Sequence, residues 1–155
     1  MHIVLVEPEI PGNTGNIARL CAATGASLHL VRPLGFSVDD KYLKRAGLDY
    51  WHLVDIHYYD SVEEVLAAYP DSPRFLLTTH AHQSYTRVHY APDSLLIFGK
   101  ESAGLPKSFR EAHASECVRI PMVSEARSLN LANSVAVVLY EALRQNDFDL
   151  QEGTI

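Results

Sequence analysis

The stretch RIPMVSEARSLNLANSVAVVLYEALR, residues 119–144, decides the fold because it contains an unusually apolar helical pattern. It begins as a loop around Pro121, and the pattern predicts a helix from about Ser128, whose hydroxyl suits an N-cap. The apolar residues form two stripes at helical spacing: Leu129, Ala132, Ala136, Leu139 and Leu143, and then Leu131, Val135, Val138 and Ala142. A helix with two apolar faces is typical of burial on two sides. One face would pack on a sheet, and the other either on a second subunit, which predicts a homodimer, or inside the core of a monomer.

Composition restricts the class of protein. The chain has 155 residues, 47% of them hydrophobic, which is enough for one globular domain with a real core. We expect a single domain over residues 1–155, with a short acidic C-terminal tail from about residue 146. No apolar run approaches the ~20 residues of a membrane span, and the N-terminus lacks the features of a signal peptide. The isolated Cys21 and Cys117 are typical of free thiols, so a cytoplasmic location is expected. The net charge of −6 argues against a general nucleic-acid coat but permits a local basic site.

Short apolar runs alternate with helical patterns, which predicts an α/β fold with a mostly parallel sheet flanked by helices. Strands are predicted at His2–Val6, Ser27–Val31, Arg74–Thr79, Ser94–Gly99 and Cys117–Ile120. Helices are predicted from Asn16 to Gly25, over Asp39–Gly47, from Ser61 to about Tyr69, and from Lys107 to about His113. Two prolines and two glycines between Glu7 and Gly15 predict an irregular loop there.

Three segments carry the unusual residues: Asn13–Arg19, Phe98–Pro106 and Ile120–Asn130. Each follows or opens a sheet element, so all three are expected to meet at one edge of the sheet, where such sheets bind ligands. The glycines around Gly99 do not fit a phosphate-binding P-loop, a serine-hydrolase elbow or a dinucleotide fingerprint, because the spacing differs in each case.

Two groups of side chains have an alternative reading. His80, His82 and His89 suggest a metal, but no cysteine or acid lies at ligand spacing, so solvated loop histidines are favoured and no metal site is predicted. Lys41, Lys44 and Arg45 are either a solvated helix end that complements the helix dipole or contacts for RNA phosphates.

The three segments together resemble the three motifs of the SPOUT superfamily of RNA methyltransferases, in its TrmH-type branch. Asn13-Thr-Gly-Asn-Ile-Ala-Arg19 resembles the first motif, Leu96-Ile-Phe-Gly-Lys-Glu-Ser-Ala-Gly-Leu-Pro106 the second, and the stretch from Arg119 to Ser134 the third. Val6–Pro11 and Arg45–Tyr50 are also similar to the minimal TrmL (YibK-like) group, so the resemblance covers nearly the whole chain.

The resemblance implies a C-terminal trefoil knot, a homodimer, and S-adenosylmethionine (AdoMet) as methyl donor without a metal. It further implies tRNA as the partner and the 2′-hydroxyl of the wobble nucleotide, cytidine or uridine 34, as the methyl acceptor. By position, the cofactor would be held by Leu77, Gly99, Ile120 and Ser128, with Glu101, Gly104, Met122 and Leu129 nearby.

The resemblance also implies the catalytic residues. Arg19 matches the arginine proposed to activate the hydroxyl, but its pKa above ~12 makes it a poor base, so an electrostatic anchor for the target nucleotide is preferred. Asn13 and Asn16 would orient Arg19 or the ribose, and Ser128 and Asn130 would position the ligand or the hydroxyl. Turn and cap chemistry is the structural alternative for the asparagines. A knotted RNA-binding protein without catalysis, an enzyme that methylates another tRNA or rRNA position, and an α/β enzyme for another nucleotide remain as competing functions.

Overall fold

The sheet of this computed structural model has six strands, and every adjacent pair of strands is parallel. The structure describes residues 1–39, 41, 43, 45 and 50–150. The strands are β1 (His2–Val6), β2 (Ser27–Val31), β3 (Ile56–Tyr59), β4 (Arg74–Leu77), β5 (Leu95–Phe98) and β6 (Cys117–Val118), in the spatial order β3-β2-β1-β5-β4-β6. The predicted α/β class with a parallel sheet is confirmed.

Helices cover both faces of the sheet. The helices whose bounds the described residues define are α1 (Pro11–Thr24), α2 (Val62–Ala68), α3 (Lys107–Ala112) and α4 (Leu131–Gln145), with 3₁₀ turns at Tyr85–Arg87 and Ala114–Glu116. Helices α1 and α4 pack on one face in a core that includes Ile3, Leu5, Leu96 and Phe98. Helices α2 and α3 pack on the other face, against the alternate residues of the same strands. This alternation is the period of two that a pleated strand imposes on its side chains.

The beginning of α1 differs from the prediction. The helix begins at Pro11 rather than near Asn16, and it ends at the predicted Gly25, whose φ of 75° is left-handed. Proline is accepted in the first turn of a helix because its missing N–H would have no partner there. The segment from Pro11 to Gly15, predicted as loop, is therefore helical, and it turns Asn13 and Thr14 into the protein.

The beginning of α4 was also predicted wrongly. Its N-cap is Asn130 and not Ser128: the Asn130 Oδ1 atom accepts a hydrogen bond from the Asn133 N–H at 3.1 Å. Residues 121–130 form an irregular segment before the helix. The inner face of α4 is buried, whereas Val137 and Tyr140 on its outer face are 38% and 45% exposed.

Some predicted elements differ in extent. Strand β3 was not predicted, and β4, β5 and β6 are shorter than expected. Within the predicted helix Asp39–Gly47, Lys41, Leu43 and Arg45 are helical, whereas Lys44 lies outside the described residues, as do residues 151–155 of the predicted acidic tail. The first residue of the predicted tail is attached to the folded domain, because the Asn146 side chain donates a hydrogen bond to the Tyr90 carbonyl at 3.0 Å. None of the described helices is long and apolar enough to cross a membrane.

A buried histidine lies on the α2 face of the sheet. The His29 side chain is fully buried, and its Nε2 atom lies 3.0 Å from Nδ1 of His2. Its ring also stacks on His57 at 5.1 Å. Burial, together with the neighbouring His2, lowers the pKa of His29 to about 3.

Candidate cofactor and substrate cleft

A cleft of about 610 Å³ opens at the carboxyl ends of β4, β5 and β6. Its walls come from the start of α1, from the loops after β4, β5 and β6, and from the start of α4. All eight residues predicted to bind the cofactor line this cleft: Leu77, Gly99, Glu101, Gly104, Ile120, Met122, Ser128 and Leu129. The volume is typical of a site for one small molecule. The three segments singled out in the sequence therefore meet at one sheet edge.

The loop after β5 closes tightly on itself. The Gly104 N–H donates to the Lys100 carbonyl at 2.8 Å, and Gly104 has a left-handed φ of 68°. A Cβ atom on Gly99 would lie 2.1 Å from the Gly104 carbonyl carbon and 2.2 Å from the Leu105 nitrogen. Because no side chain fits at such a distance, glycine at position 99 is required for the loop to fold back and form one wall of the cleft.

Glu101 and Glu9 connect that loop to α1. The Glu101 carboxylate accepts hydrogen bonds from the N–H groups of Glu9, at 3.0 Å, and of Ile10. In return the Glu9 carboxylate accepts from the Ser102 N–H at 2.9 Å and the Ser102 hydroxyl at 2.6 Å, and these bonds lower the pKa of Glu9. Glu101 lies at the N-terminus of α1, where a negative charge is favourable. Its carboxylate is thus engaged in a clasp, residues 9, 10, 101 and 102, that holds α1 beside the cleft.

Asn13 and Asn130 connect α1 to α4 at the cleft wall. The Asn130 side-chain amide donates to the Asn13 Oδ1 atom at 3.1 Å, across 117 residues of sequence. Asn13 is 7% exposed. Since Asn130 is also the N-cap of α4, one amide group sets the position of that helix relative to α1.

The segment after β6 has backbone N–H groups without an acceptor in residues that line the cleft. Among the described residues, no group accepts a hydrogen bond from the N–H of Ile120, Met122 or Leu129. These residues line the cleft beside apolar side chains. Free N–H groups and apolar walls suit the edge and the face of a nucleobase, so the donor set fits an adenine-containing cofactor.

Two of the predicted catalytic residues lie outside the cleft. Asn16 and Arg19 are exposed on α1 and do not line it. The Arg19 guanidinium lies over the Tyr50 ring, 4.9 Å from its centroid. Six residues separate Arg19 from Asn13, a rise of about 9 Å along a helix. The structure thus brings Asn13, Ser128 and Asn130 together and leaves Asn16 and Arg19 on the outer surface.

Sequence reasoning did not assign several other residues that line the cleft. Thr78, Thr79 and His80 follow β4, Ile10 precedes α1, and Lys100, Arg110 and Arg127 add positive charge. Position at the end of a predicted strand was the available signal for Thr78 to His80. In the described part of the chain, no group of three or more histidine, cysteine or acidic side chains is arranged to hold a metal ion.

A cofactor-sized cleft at the carboxyl edge of a parallel sheet defines a ligand-binding α/β protein. The family model for the SpoU rRNA methylase family matches residues 1–140, and the chain belongs to that family.

Relatives and solved structures agree with this assignment. The tRNA (cytidine(34)-2′-O)-methyltransferase of Methylovorus glucosotrophus is 50% identical over 147 residues, covering 94% of this chain and 96% of the relative. That of Acidovorax sp. strain JS42 is 50% identical over 150 residues, covering 95% and 93%. A structure described as giving insights into 2-OH methylation of C/U34 on tRNA superposes with a TM-score of 0.87 at 44% identity, covering 94% of this chain and 95% of that one. The SpoU methyltransferase AviRb from Streptomyces viridochromogenes, in complex with the cofactor AdoMet, gives a TM-score of 0.81 at 28% identity, covering 95% and 60%.

Proposed function

We propose that this protein is an AdoMet-dependent methyltransferase that methylates the ribose 2′-hydroxyl of the wobble nucleotide, cytidine or uridine 34, of tRNA. The observation that carries the proposal is the single cleft formed by the three motif segments, with Asn13 and Asn130 bonded in its wall. The names of the full-length relatives at 50% identity support the choice of tRNA position 34.

The residues of the cleft fit the cofactor. Ile120, Met122 and Leu129 would offer backbone groups to the adenine, and the glycine-closed loop from Gly99 to Gly104 lets the ligand approach the backbone closely. Leu77 and Ser128 would complete the pocket, and Glu101 would act through the clasp that fixes its wall. AdoMet, when bound, supplies an electrophilic methyl group.

The chain's own part in the reaction is to align the acceptor and favour loss of its proton. Asn13, Ser128 and Asn130 would position the 2′-hydroxyl at the cleft, which converts a bimolecular encounter into an oriented one. Asn16 and Arg19 would contact the tRNA outside the cleft, since they are exposed on α1. The Arg19 guanidinium would anchor the target nucleotide from outside the cleft, with an RNA phosphate as proton acceptor for the 2′-hydroxyl.

We also propose the C-terminal trefoil knot. Supporting it, residues 83–91 are held from two directions by later parts of the chain. The Arg119 N–H donates to the Gln83 carbonyl at 2.8 Å, and the Tyr85 N–H donates to the Arg119 carbonyl at 2.8 Å. The Gln145 side chain of α4 donates to the Val88 carbonyl at 3.0 Å. These hydrogen bonds join the loop before β5 both to the segment after β6 and to α4, and a knotted chain would need such contacts around the loop that it threads.

We also propose that the protein is a homodimer and acts in the cytoplasm. The outer face of α4 exposes the apolar side chains of Val137 and Tyr140, and Leu129, just before the helix, is 42% exposed. A second copy covering this face would remove apolar surface from water. We propose that residues 1–155 act as one domain in that dimer.

The test is transfer of tritium from methyl-labelled AdoMet to bulk tRNA, followed by mass spectrometry of nuclease digests. The expected product is a 2′-O-methylated nucleotide at position 34. Label at another tRNA position would change the substrate assignment, and binding of tRNA without transfer would favour the non-catalytic RNA-binding alternative.

A further inference from the structure

Basic side chains are distributed unevenly over this acidic protein, whose net charge is −6. Four of the described ones pair with carboxylates: Arg32 with Asp60 at 3.0 Å, Arg74 with Glu116 at 4.0 Å, Lys107 with Glu111 at 3.8 Å, and Arg144 with Glu141 at 2.8 Å. These pairs cancel their own charge and leave little field for a distant anion.

The basic side chains around the cleft have no such partners. Lys100 and Arg127 line it, and no carboxylate among the described residues lies within 4.0 Å of either. Arg119 and Arg87 do not line this cleft, and Arg87 lines a separate hollow with Arg144. Both also lack an acidic partner in the described part of the chain. Arg45, on another segment, also makes no ion pair with a described residue.

The acids near the cleft offset only part of this charge: Glu9 and Glu101 stay negative, and Lys100 adds to the Ser102 hydrogen bonds in lowering the pKa of Glu9. The carboxylates of Glu9 and Glu101 accept hydrogen bonds from Ser102 and from backbone N–H groups within the clasp. The exposed Glu125 lies in the same loop as Arg127, but it makes no ion pair with a described residue. The residues that line the cleft carry three cations, Lys100, Arg110 and Arg127, and one carboxylate, Glu101, so this edge of the sheet has a local excess of positive charge.

We propose that Lys100 and Arg127, which both line the cleft, form a cationic rim that binds phosphates of the RNA backbone. The inference rests on the proposed function and names the surface that the RNA uses. A cleft of about 610 Å³ has room for a small molecule, so a polynucleotide that delivers one ribose to it must cross its edge. Arg127 offers a planar fork for two phosphate oxygens, and Lys100 offers a compact charge.

The salt dependence of tRNA binding tests the rim. Affinity for bulk tRNA is measured at several salt concentrations for the wild type, Lys100→Gln, Arg127→Gln and the double variant. Lys107→Gln is the matched control, because it removes the same charge from a lysine that is paired with Glu111 and whose side chain is 79% exposed. Circular dichroism checks folding, and calorimetry with AdoMet checks the cofactor site.

Each lost phosphate contact should reduce the slope of log affinity against log salt by about 0.7 to 0.9. The ratio of the Kd of a rim variant to that of the wild type should therefore fall about threefold between roughly 50 and 200 mM salt. The double variant should lose both contacts, and Lys107→Gln should match the wild type.

Unchanged slopes in folded rim variants would overturn the proposal. So would weaker AdoMet binding with unchanged slopes, because the cations would then serve the cofactor carboxylate. Methyl transfer by the wild type is scored separately. If transfer occurs and the slopes stay unchanged, the rim is wrong; if the slopes fall and no transfer occurs, the rim stands and the proposed enzyme function is wrong.

Discussion

The hydrogen bond between Asn130 and Asn13 gives the sharpest test of how the cleft is held together. The Asn130 side chain does two things: its Oδ1 atom caps α4 through the Asn133 N–H at 3.1 Å, and its amide donates to Asn13 at 3.1 Å. Substitutions at position 130 can separate these two contributions. Asn130→Ala removes both hydrogen bonds. Asn130→Ser keeps an oxygen that can cap α4 but loses the bond to Asn13. Asn130→Asp keeps the cap, and a flipped Asn13 side-chain amide can donate to the new carboxylate.

The expected costs follow from burial. Loss of an N-cap costs about 1 kcal/mol. Loss of the link leaves the Oδ1 atom of Asn13, a residue only 7% exposed, without its donor, and an unsatisfied buried acceptor costs about 1–3 kcal/mol. Asn130→Ala should therefore lower the free energy of unfolding by about 2–4 kcal/mol, and Asn130→Ser by about 1–3 kcal/mol. Asn130→Asp should remain within about 1 kcal/mol of the wild type, because a carboxylate also suits a helix N-terminus.

Urea unfolding at one fixed protein concentration measures these differences, since association would make apparent stability depend on concentration. A double-mutant cycle with Asn13→Ala should give a coupling energy of about 1 kcal/mol. If the Asn13 and Asn130 variants are additive, or if Asn130→Ser is as stable as the wild type, the link does not hold the two helices together.

Three further changes test the cleft, the proposed anchor and the buried histidine. Gly99→Ala should force the loop open and weaken AdoMet binding in calorimetry at least about tenfold. Gly12→Ala, where an added Cβ meets nothing within 4 Å, should bind normally, and equal affinities for the two variants would contradict the reasoning. Arg19→Ala should slow methyl transfer by about 10²–10³, with Arg19→Lys rescuing little. The free energy of unfolding should fall only by the ~0.5–1 kcal/mol of an exposed cation–π contact. Near wild-type turnover at saturating tRNA would refute the anchor role. His29 has a pKa lowered to about 3 from 6.5, so its contribution to stability is complete above about pH 6.5 and is lost as the pH falls towards 3. Urea titrations should show the free energy of unfolding lower by about 2 kcal/mol at pH 5 than above pH 6.5. His29→Leu should remove most of this pH dependence. If the variant keeps the same pH profile, another group causes it.

Continuous apolar runs made part of the fold predictable. Strands β1 and β2 are buried on both faces, so their boundaries could be read directly from the sequence. Strand β3 was missed because Ile56-His-Tyr-Tyr59 is a half-exposed edge strand with a polar residue, and it lacks that pattern. The sequence predicts too late a start for helix α1, because proline and glycine usually interrupt regular structure. The first turn of a helix nevertheless accepts both Pro11 and Gly12.

The cleft was predictable at the level of segments and less so at the level of side chains. Motif order indicated which loops would meet, because the carboxyl ends of parallel strands share one edge. The sequence could not show that Asn130 rather than Ser128 caps α4, since both residue types cap well. Nor could it show which cations lack partners, because ion pairs such as Arg32 with Asp60 join distant parts of the chain.

The clasp of Glu9, Glu101 and Ser102 makes the two sides of the cleft thermodynamically dependent on each other. Glu101 lines the cleft, and the same carboxylate fixes the first residues of the helix that carries Asn13. A ligand that moves the loop of Glu101 also disturbs the hydrogen bonds that hold the start of α1. Binding at the loop and binding at α1 are therefore energetically coupled. Such coupling is reciprocal. Whatever factor AdoMet contributes to the affinity for RNA, RNA must contribute to the affinity for AdoMet, and the order in which the two bind cannot change the product.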